Sequence, residues 1–180
     1  INRMLDQVLR VRMDTVEVVQ EPLLEKYTYL AGRALSSQMI NDEIDAYAEP
    51  LGMNNKLIIA CGLLAGTTIS CANRLSIGAK SPLTGGIKES NAGGIAAYKM
   101  GRLGIRAIVV EGLPAGDDWY MLVVKTGSCE IKLANHLTGK GITEKATMLY
   151  QEYGAKNGLI LIGPAGEKRL LTAGIANNDQ

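Results

Sequence analysis

Residues 73–104 read NRLSIGAKSPLTGGIKESNAGGIAAYKMGRLG, and this run decides how the chain folds. Leu75, Ile77 and Ala79 alternate with Ser76, Gly78 and Lys80, the two-residue period of a half-buried strand. Ser81-Pro82-Leu83-Thr84-Gly85-Gly86 then turns the chain. After the next polar run the spacing predicts a helix. Asn91 stands where an N-cap would, Gly93 and Gly94 open the first turn, Ile95, Ala96, Ala97, Tyr98 and Met100 continue it, and Gly101 or Gly104 ends it. That helix start is bare backbone. Its unpaired N–H groups and the positive end of the helix dipole suit a close anionic ligand such as a phosphate. Arg74 begins the preceding strand, so its planar guanidinium could reach the same ligand if strand and helix pack side by side. Gly-Gly at a helix start is more often a cap or a tight crossing, and no Gly-x-Gly-x-x-Gly or phosphate-loop pattern occurs here. On the residues alone both readings stay open.

The 180 residues are enough to bury a core without disulfide staples, so one domain or two tightly joined halves is expected. With 19 basic and 18 acidic side chains and no long basic run, the chain carries no electrostatic footprint for nucleic acid or an anionic membrane. Cys61, Cys71 and Cys129 show no Cys-x-x-Cys spacing and give neither a disulfide framework nor a metal cradle. They are expected to be buried free thiols, which fits a reducing, cytoplasmic setting without a secretory signal. The longest apolar run, residues 57–65, is too short to span a bilayer. Phe is absent, so the core is expected to consist of Ile, Leu, Val, Ala and Met.

Upstream of the central run, residues 8–12 and 15–19 read as a hairpin, Pro22 as the first position of a short helix, and residues 33–44 as a second helix. An acidic loop, residues 41–49, leads to a strand over residues 56–61 that is apolar on both faces. Downstream, residues 106–111 read as a buried strand, residues 119–125 and 129–133 as a hairpin, and residues 143–153 as a helix capped by Thr143. Residues 157–161 echo residues 55–59, and each run precedes a glycine-rich corner and an alternating strand, beginning near Arg169 in the second case. The echo is what an internal duplication would leave, and the expected fold class is α+β, with two similar strand-helix-strand halves and mixed β-sheets.

No self-contained catalytic set can be assembled. His136 is the only histidine and has no Cys, Asp or Glu at metal spacing. Asp117-Asp118 and Asp42-Glu43 are adjacent pairs expected to point apart into water. No catalytic residue is assigned, and a glycine-rich helix mouth beside a placed arginine suits a cofactor platform better than a hydrolase.

A succession of motifs then carries a family resemblance. Residues 55–60, 62–66, Arg74, residues 80–85, Asn91-Ala92-Gly93-Gly94, Gly104 and Val110-Glu111-Gly112 resemble, in order, the N-terminal domain of the aldehyde ferredoxin oxidoreductase family. Gly32-Arg33-Ala34-Leu35 is similar to the family's Gly-Arg-Gly-Leu, His136-Leu137-Thr138-Gly139-Lys140 to its His-Leu-Trp-Gly-Lys, and Ile162-Gly163-Pro164-Ala165-Gly166-Glu167 to its Ile-Gly-Pro-Ala-Gly-Glu. The chain departs from the family at Gly62-Leu63-Leu64-Ala65-Gly66, where Gly-Pro-Leu-Thr-Gly is usual, and in the first hairpin, which lacks the family's tryptophan and Gly-Arg pair.

The resemblance implies a single N-terminal domain over residues 1–180, forming a base for a tungsten or molybdenum ion held by two pterins beside a 4Fe-4S cluster. It places Arg74 between cluster and pterin, gives the backbone carbonyl of Asn91 to a magnesium ion bridging the pterin phosphates, and sets Gly93 and Gly94 against those phosphates. The cluster ligands and substrate acid–base groups would lie in later helical domains, and a second magnesium–pterin loop would begin just past Asp179. The chain starts at Ile1 without Met and ends at Gln180, so a trimmed piece of a longer protein is expected, inactive alone. The implied partners are those helical domains, ferredoxin and a small aldehyde, with homo-oligomerisation left open. Two rivals differ in class: a stand-alone, non-catalytic binding or scaffold module of the same fold, and a small nucleotide-phosphate binder using the same glycines.

Overall fold

The structure, a computed structural model, describes residues 6–178. The expectations for the unusual start at Ile1 and for the loop beyond Asp179 lie outside those residues. Six strands form one mixed sheet: β1 (Gln7–Arg12), β2 (Glu17–Pro22), β3 (Lys56–Cys61), β4 (Arg74–Lys80), β5 (Ile87–Gly93) and β6 (Ile105–Glu111), in the spatial order β2-β1-β6-β3-β4-β5. β1 and β6 run parallel and the other neighbours antiparallel. Two further strand pairs stand apart: the hairpin β7 (Tyr120–Lys125) with β8 (Ser128–Leu133), and β9 (Ile160–Ile162) with β10 (Ile175–Asn177).

The sheet is buried on both faces at its centre because residues 57–61 of β3 and 107–110 of β6 are apolar without a break. Ile58, Ala60, Ala107 and Val109 point to one face, where α1 (Gly32–Glu43) covers them with Leu35, Met39 and Ile40 and a preceding 3-10 turn adds Tyr27. Leu75, Ile59, Cys61 and Ile108 point to the other, against Ala96, Ala97 and Met100 of α2 (Ile95–Arg102) and the apolar side of the β7–β8 hairpin. Gly78 lets α1 lie close to the sheet, since a Cβ there would stand 2.9 Å from Ile40 Cδ1. β4 is thus more than the half-buried strand expected. Ser76 on its polar side is fully buried under α1, hydrogen-bonded to Ser36 at 3.2 Å.

Other expectations shift for local reasons. Pro22 ends β2 instead of opening a helix, because Leu23 N–H donates to Asp6 C=O and extends the hairpin. The long helix α3 (Ile142–Tyr153) is capped by Gly141, with Thr143 inside its first turn. Where a strand was expected from Arg169, the short helix α4 (Pro164–Glu167) intervenes and pairing resumes only at Ile175. Cys61 is buried but Cys71 is exposed. The order hairpin, 3-10 turn, twelve-residue helix, strand, corner and antiparallel strand occurs twice. The pairing does not repeat: the first set merges into the six-stranded sheet and the second forms two separate pairs, so the likeness of the halves extends only to element order.

Glu43 also departs from the solvated pair expected. At the end of α1 it accepts from Arg10 at 2.8 Å and from Lys56 at 2.8 Å, while Arg10 also reaches Glu21 and both cations reach Glu111. Asp42 turns the other way, to Lys26 and Tyr27. Burial alone would raise the Glu43 pKa, but hydrogen bonds from Arg10 and Lys56 outweigh it and hold the carboxyl below its ordinary range. A carboxylate with a depressed folded-state pKa stabilises above its unfolded pKa and loses that contribution as pH falls through the folded value. Glu43→Gln should therefore cost about 3 kcal/mol near neutrality, with the gap to wild type closing in acid. Urea titrations across pH would check this.

A second test concerns α2. Gly101 crosses the backbone of the loop after β3 so closely that a Cβ would meet Gly66 N at 2.5 Å. Gly101→Ala should lower stability by about 1–3 kcal/mol through overpacking against rigid backbone, read from denaturant midpoints.

Candidate functional site

β4 and β5 are joined by residues 81–86, where Ser81 N–H donates to Gly86 C=O at 2.8 Å and Ser81 Oγ accepts from the N–H groups of Leu83 and Thr84. This turn folds residues 87–93 back along residues 74–80 in an unbroken register from Lys80 opposite Ile87 to Arg74 opposite Gly93. Asn91 is therefore a strand residue opposite Ser76 and not a helix cap, and Gly93 ends β5 instead of opening α2. Gly94 is the N-cap, with φ 128°, a conformation open to glycine. Local signals read residues 91–94 as a helix start, and cross-strand pairing with β4 overrides them.

The register also directs the backbone. Ser81 is bonded to Gly86, and Arg74 C=O accepts from Gly62 N–H on the β3 side at 3.1 Å. The alternation of an antiparallel ladder then bonds Leu75, Ile77 and Ala79 to β5, and turns the peptide groups of Glu89, Asn91 and Gly93 away from β4. β5 is the last strand of the sheet, so these groups point off its free edge. The carbonyl of Gly93 accepts from Nδ2 of Asn177.

Arg74, Gly93 and Gly94 come together at this end of the sheet. Arg74 Nη1 lies 3.2 Å from where a Gly93 Cβ would stand, so the missing side chain is what admits the guanidinium. Arg74, Asn91, Gly93 and Gly94 are all exposed. The α2 mouth is less open than the sequence suggests, because the Asn177 amide lies 2.8 Å from the Cβ position of Gly94 and Gly158 packs on Ala96. The accessible donors and acceptors are those of the strand edge and of Arg74. Asn177, which no sequence motif singled out, belongs to this site through tertiary packing alone.

Behind the edge, Glu89 is a hub. Its side chain is 8% exposed, and its carboxylate accepts from Ser76 Oγ, from the Asn91 amide and from Arg33 Nε at 2.6 Å. It ties β5 to β4 and to the start of α1, and holds the Asn91 side chain against the sheet. His136 sits in the separate 3-10 turn Asn135–Leu137. An open cleft of about 830 Å³ lies at the opposite end of the sheet, but its Glu43, Lys56 and Glu111 walls are committed to one another. It is not the site the motifs define. Among the described residues, no group of three or more His, Cys, Asp or Glu side chains is placed to hold a metal ion, and no helix is long and apolar enough to cross a membrane.

The domain is a mixed-sheet α+β unit with an open, glycine-lined edge beside an arginine, and its family follows from comparison. Residues 8–180 match the model of the aldehyde ferredoxin oxidoreductase N-terminal domain, and the chain belongs to that family. It is 37% identical over 173 residues to the tungsten-containing aldehyde ferredoxin oxidoreductase of Thermococcus kodakarensis and 36% identical over 175 residues to that of Pyrococcus furiosus, in each case over 94% of this chain. It spans only 28% of the length of either relative. Among solved structures it resembles a chain of the active site complex BamBC of benzoyl coenzyme A reductase in complex with 1,5 dienoyl-CoA. The TM-score is 0.91 and the identity 29%, covering 97% of this chain and 27% of that one.

Removing the Glu89 carboxylate leaves Ser76 and the Asn91 amide without their buried acceptor. Glu89→Ala should destabilise by about 1–3 kcal/mol and raise hydrogen exchange along residues 87–93, measured by mass spectrometry.

Proposed function

We propose that this chain is a single cofactor-bearing domain of a longer oxidoreductase, and that its β5 edge forms one side of a tungsten–pterin centre. The observation that carries the reading is the outward-facing Asn91 and Gly93 peptide edge with the Arg74 guanidinium beside it. The residues present fit such a group. Outward carbonyls suit a divalent cation, a fixed guanidinium suits phosphate or a planar heterocycle, and the Cβ-free surface at Gly93 and Gly94 allows close approach. When bound, the metal–pterin group supplies the oxygen-atom and electron chemistry that the domain's side chains lack.

The roles follow from position. The carbonyl of Asn91 would bind the magnesium that bridges pterin phosphates, Gly93 and Gly94 would admit those phosphates, and Arg74 would stand between the pterin and a 4Fe-4S cluster whose ligands lie in later helical domains. The longer protein would oxidise an aldehyde and pass the electrons through the cluster to ferredoxin in the cytoplasm. The tungsten in the relatives' names favours tungsten over molybdenum. The likeness to BamBC keeps a second substrate class in view, reduction of a coenzyme A thioester, and residues 62–66 depart from the family's pattern near this same end of the sheet.

The test uses the full-length protein purified anaerobically, with tungsten, released pterin and iron measured per chain and aldehyde-dependent reduction of ferredoxin followed. Wild type should hold the metal and pterin, and Arg74→Ala should lose pterin about tenfold or more. A full-length protein that purifies folded without pterin would favour the scaffold module, and calorimetric binding of a nucleotide would favour the nucleotide-phosphate binder.

A further inference from the structure

Asn177 sits where the two parts of the chain meet. It is the last residue of β10, held opposite Ile160 of β9, and the next residue is pinned as well: Asn178 N–H donates to Leu159 C=O at 2.8 Å and Asn178 Nδ2 to Tyr150 Oη at 3.0 Å. From this fixed base the Asn177 carboxamide crosses to the end of β5 and donates to Gly93 C=O. It fits there only because Gly94 has no side chain: a Cβ at Gly94 would stand 2.8 Å from its Nδ2 and 3.3 Å from its Cγ. A second close contact reinforces the crossing, since a Cβ on Gly158 would come 2.6 Å from Ala96 Cα.

We infer that Asn177 is a positioning residue, a strut that sets the distance between the Arg74–Gly93 edge and the chain leaving β10. The inference rests on the reading of that edge as the pterin side of the domain. With Nδ2 committed to Gly93, the orientation of the amide is settled and Oδ1 points elsewhere. Oδ1 is buried and meets no hydrogen-bond donor among the described residues. Among the described residues the Gly93 carbonyl is thus the hydrogen-bond partner of the carboxamide, and the strut depends on that one bond to the β5 edge.

The experiment compares full-length wild type with Asn177→Asp, Asn177→Ala and Arg74→Ala. Asp keeps the shape of Asn but cannot donate to the Gly93 carbonyl, so it separates the hydrogen bond from volume. Pterin released per folded chain is read by fluorescence, and the melting temperature is measured after cofactor extraction. Asn177→Asp and Asn177→Ala should each lower pterin content about tenfold while the extracted protein melts close to extracted wild type. Full pterin content in both Asn177 variants, with loss in Arg74→Ala, overturns the strut and leaves the site reading intact. Full content in Arg74→Ala as well overturns the site reading itself. Loss of pterin matched by an equal collapse of the extracted protein's melting temperature overturns positioning in favour of plain structural support.

Discussion

The structure depends on the pairing of β4 with β5. Seven residues fold back on seven through a turn held by Ser81, and the register that results places Arg74 opposite Gly93. Because the pairing is antiparallel, alternate peptides of β5 spend their hydrogen bonds on β4 and the rest face outward. A slip of one residue would turn Asn91 and Gly93 inward and carry the Glu89 carboxylate to the α2 face, away from Ser76 and Arg33. Ser36, Ser76 and Glu89, stacked under α1, oppose that slip, since only one register lets all three be satisfied.

The two ends of the sheet solve different problems. At one end Arg10, Arg12 and Lys56 pair with Glu21, Glu43 and Glu111, an ion cluster that joins α1 to four strands. At the other end glycine replaces charge, and backbone groups are left facing outward. Burial without partners is costly there, which is why Asn177 bridges to Gly93 and Gly158 packs on Ala96. A second buried ion pair, Lys145 with Glu167, plays the locking part for α3 and α4: Lys145 also donates to Ile162 C=O, and Glu167 accepts from Gly139 N–H. The motif Ile162-Gly163-Pro164-Ala165-Gly166-Glu167 is thus accounted for by structure, with its glutamate serving the fold.

Membership of the aldehyde ferredoxin oxidoreductase family supports the proposed reading of this domain as one part of a longer protein. The chain makes up 28% of the length of its named relatives, and what it contributes in the proposed role is a surface, one that binds and orients.

The amino-acid sequence by itself determined the elements whose local pattern is strong: the apolar strand Lys56–Cys61, the buried strand near Val109, the two hairpins and the helices ending at Glu43 and Tyr153. It also singled out Arg74, Gly93 and Gly94, as residues that would meet if the strand and the following helix packed side by side, and the β4–β5 register is what brings Arg74 opposite Gly93. Only the tertiary structure decided that residues 87–93 are a strand, since their polar composition suits an edge strand and a helix approach equally well, and pairing with β4 makes the choice. Only it drew Glu43 into an ion cluster, and only it brought Asn177 across to Gly93, a contact between residues 84 positions apart that no local periodicity encodes.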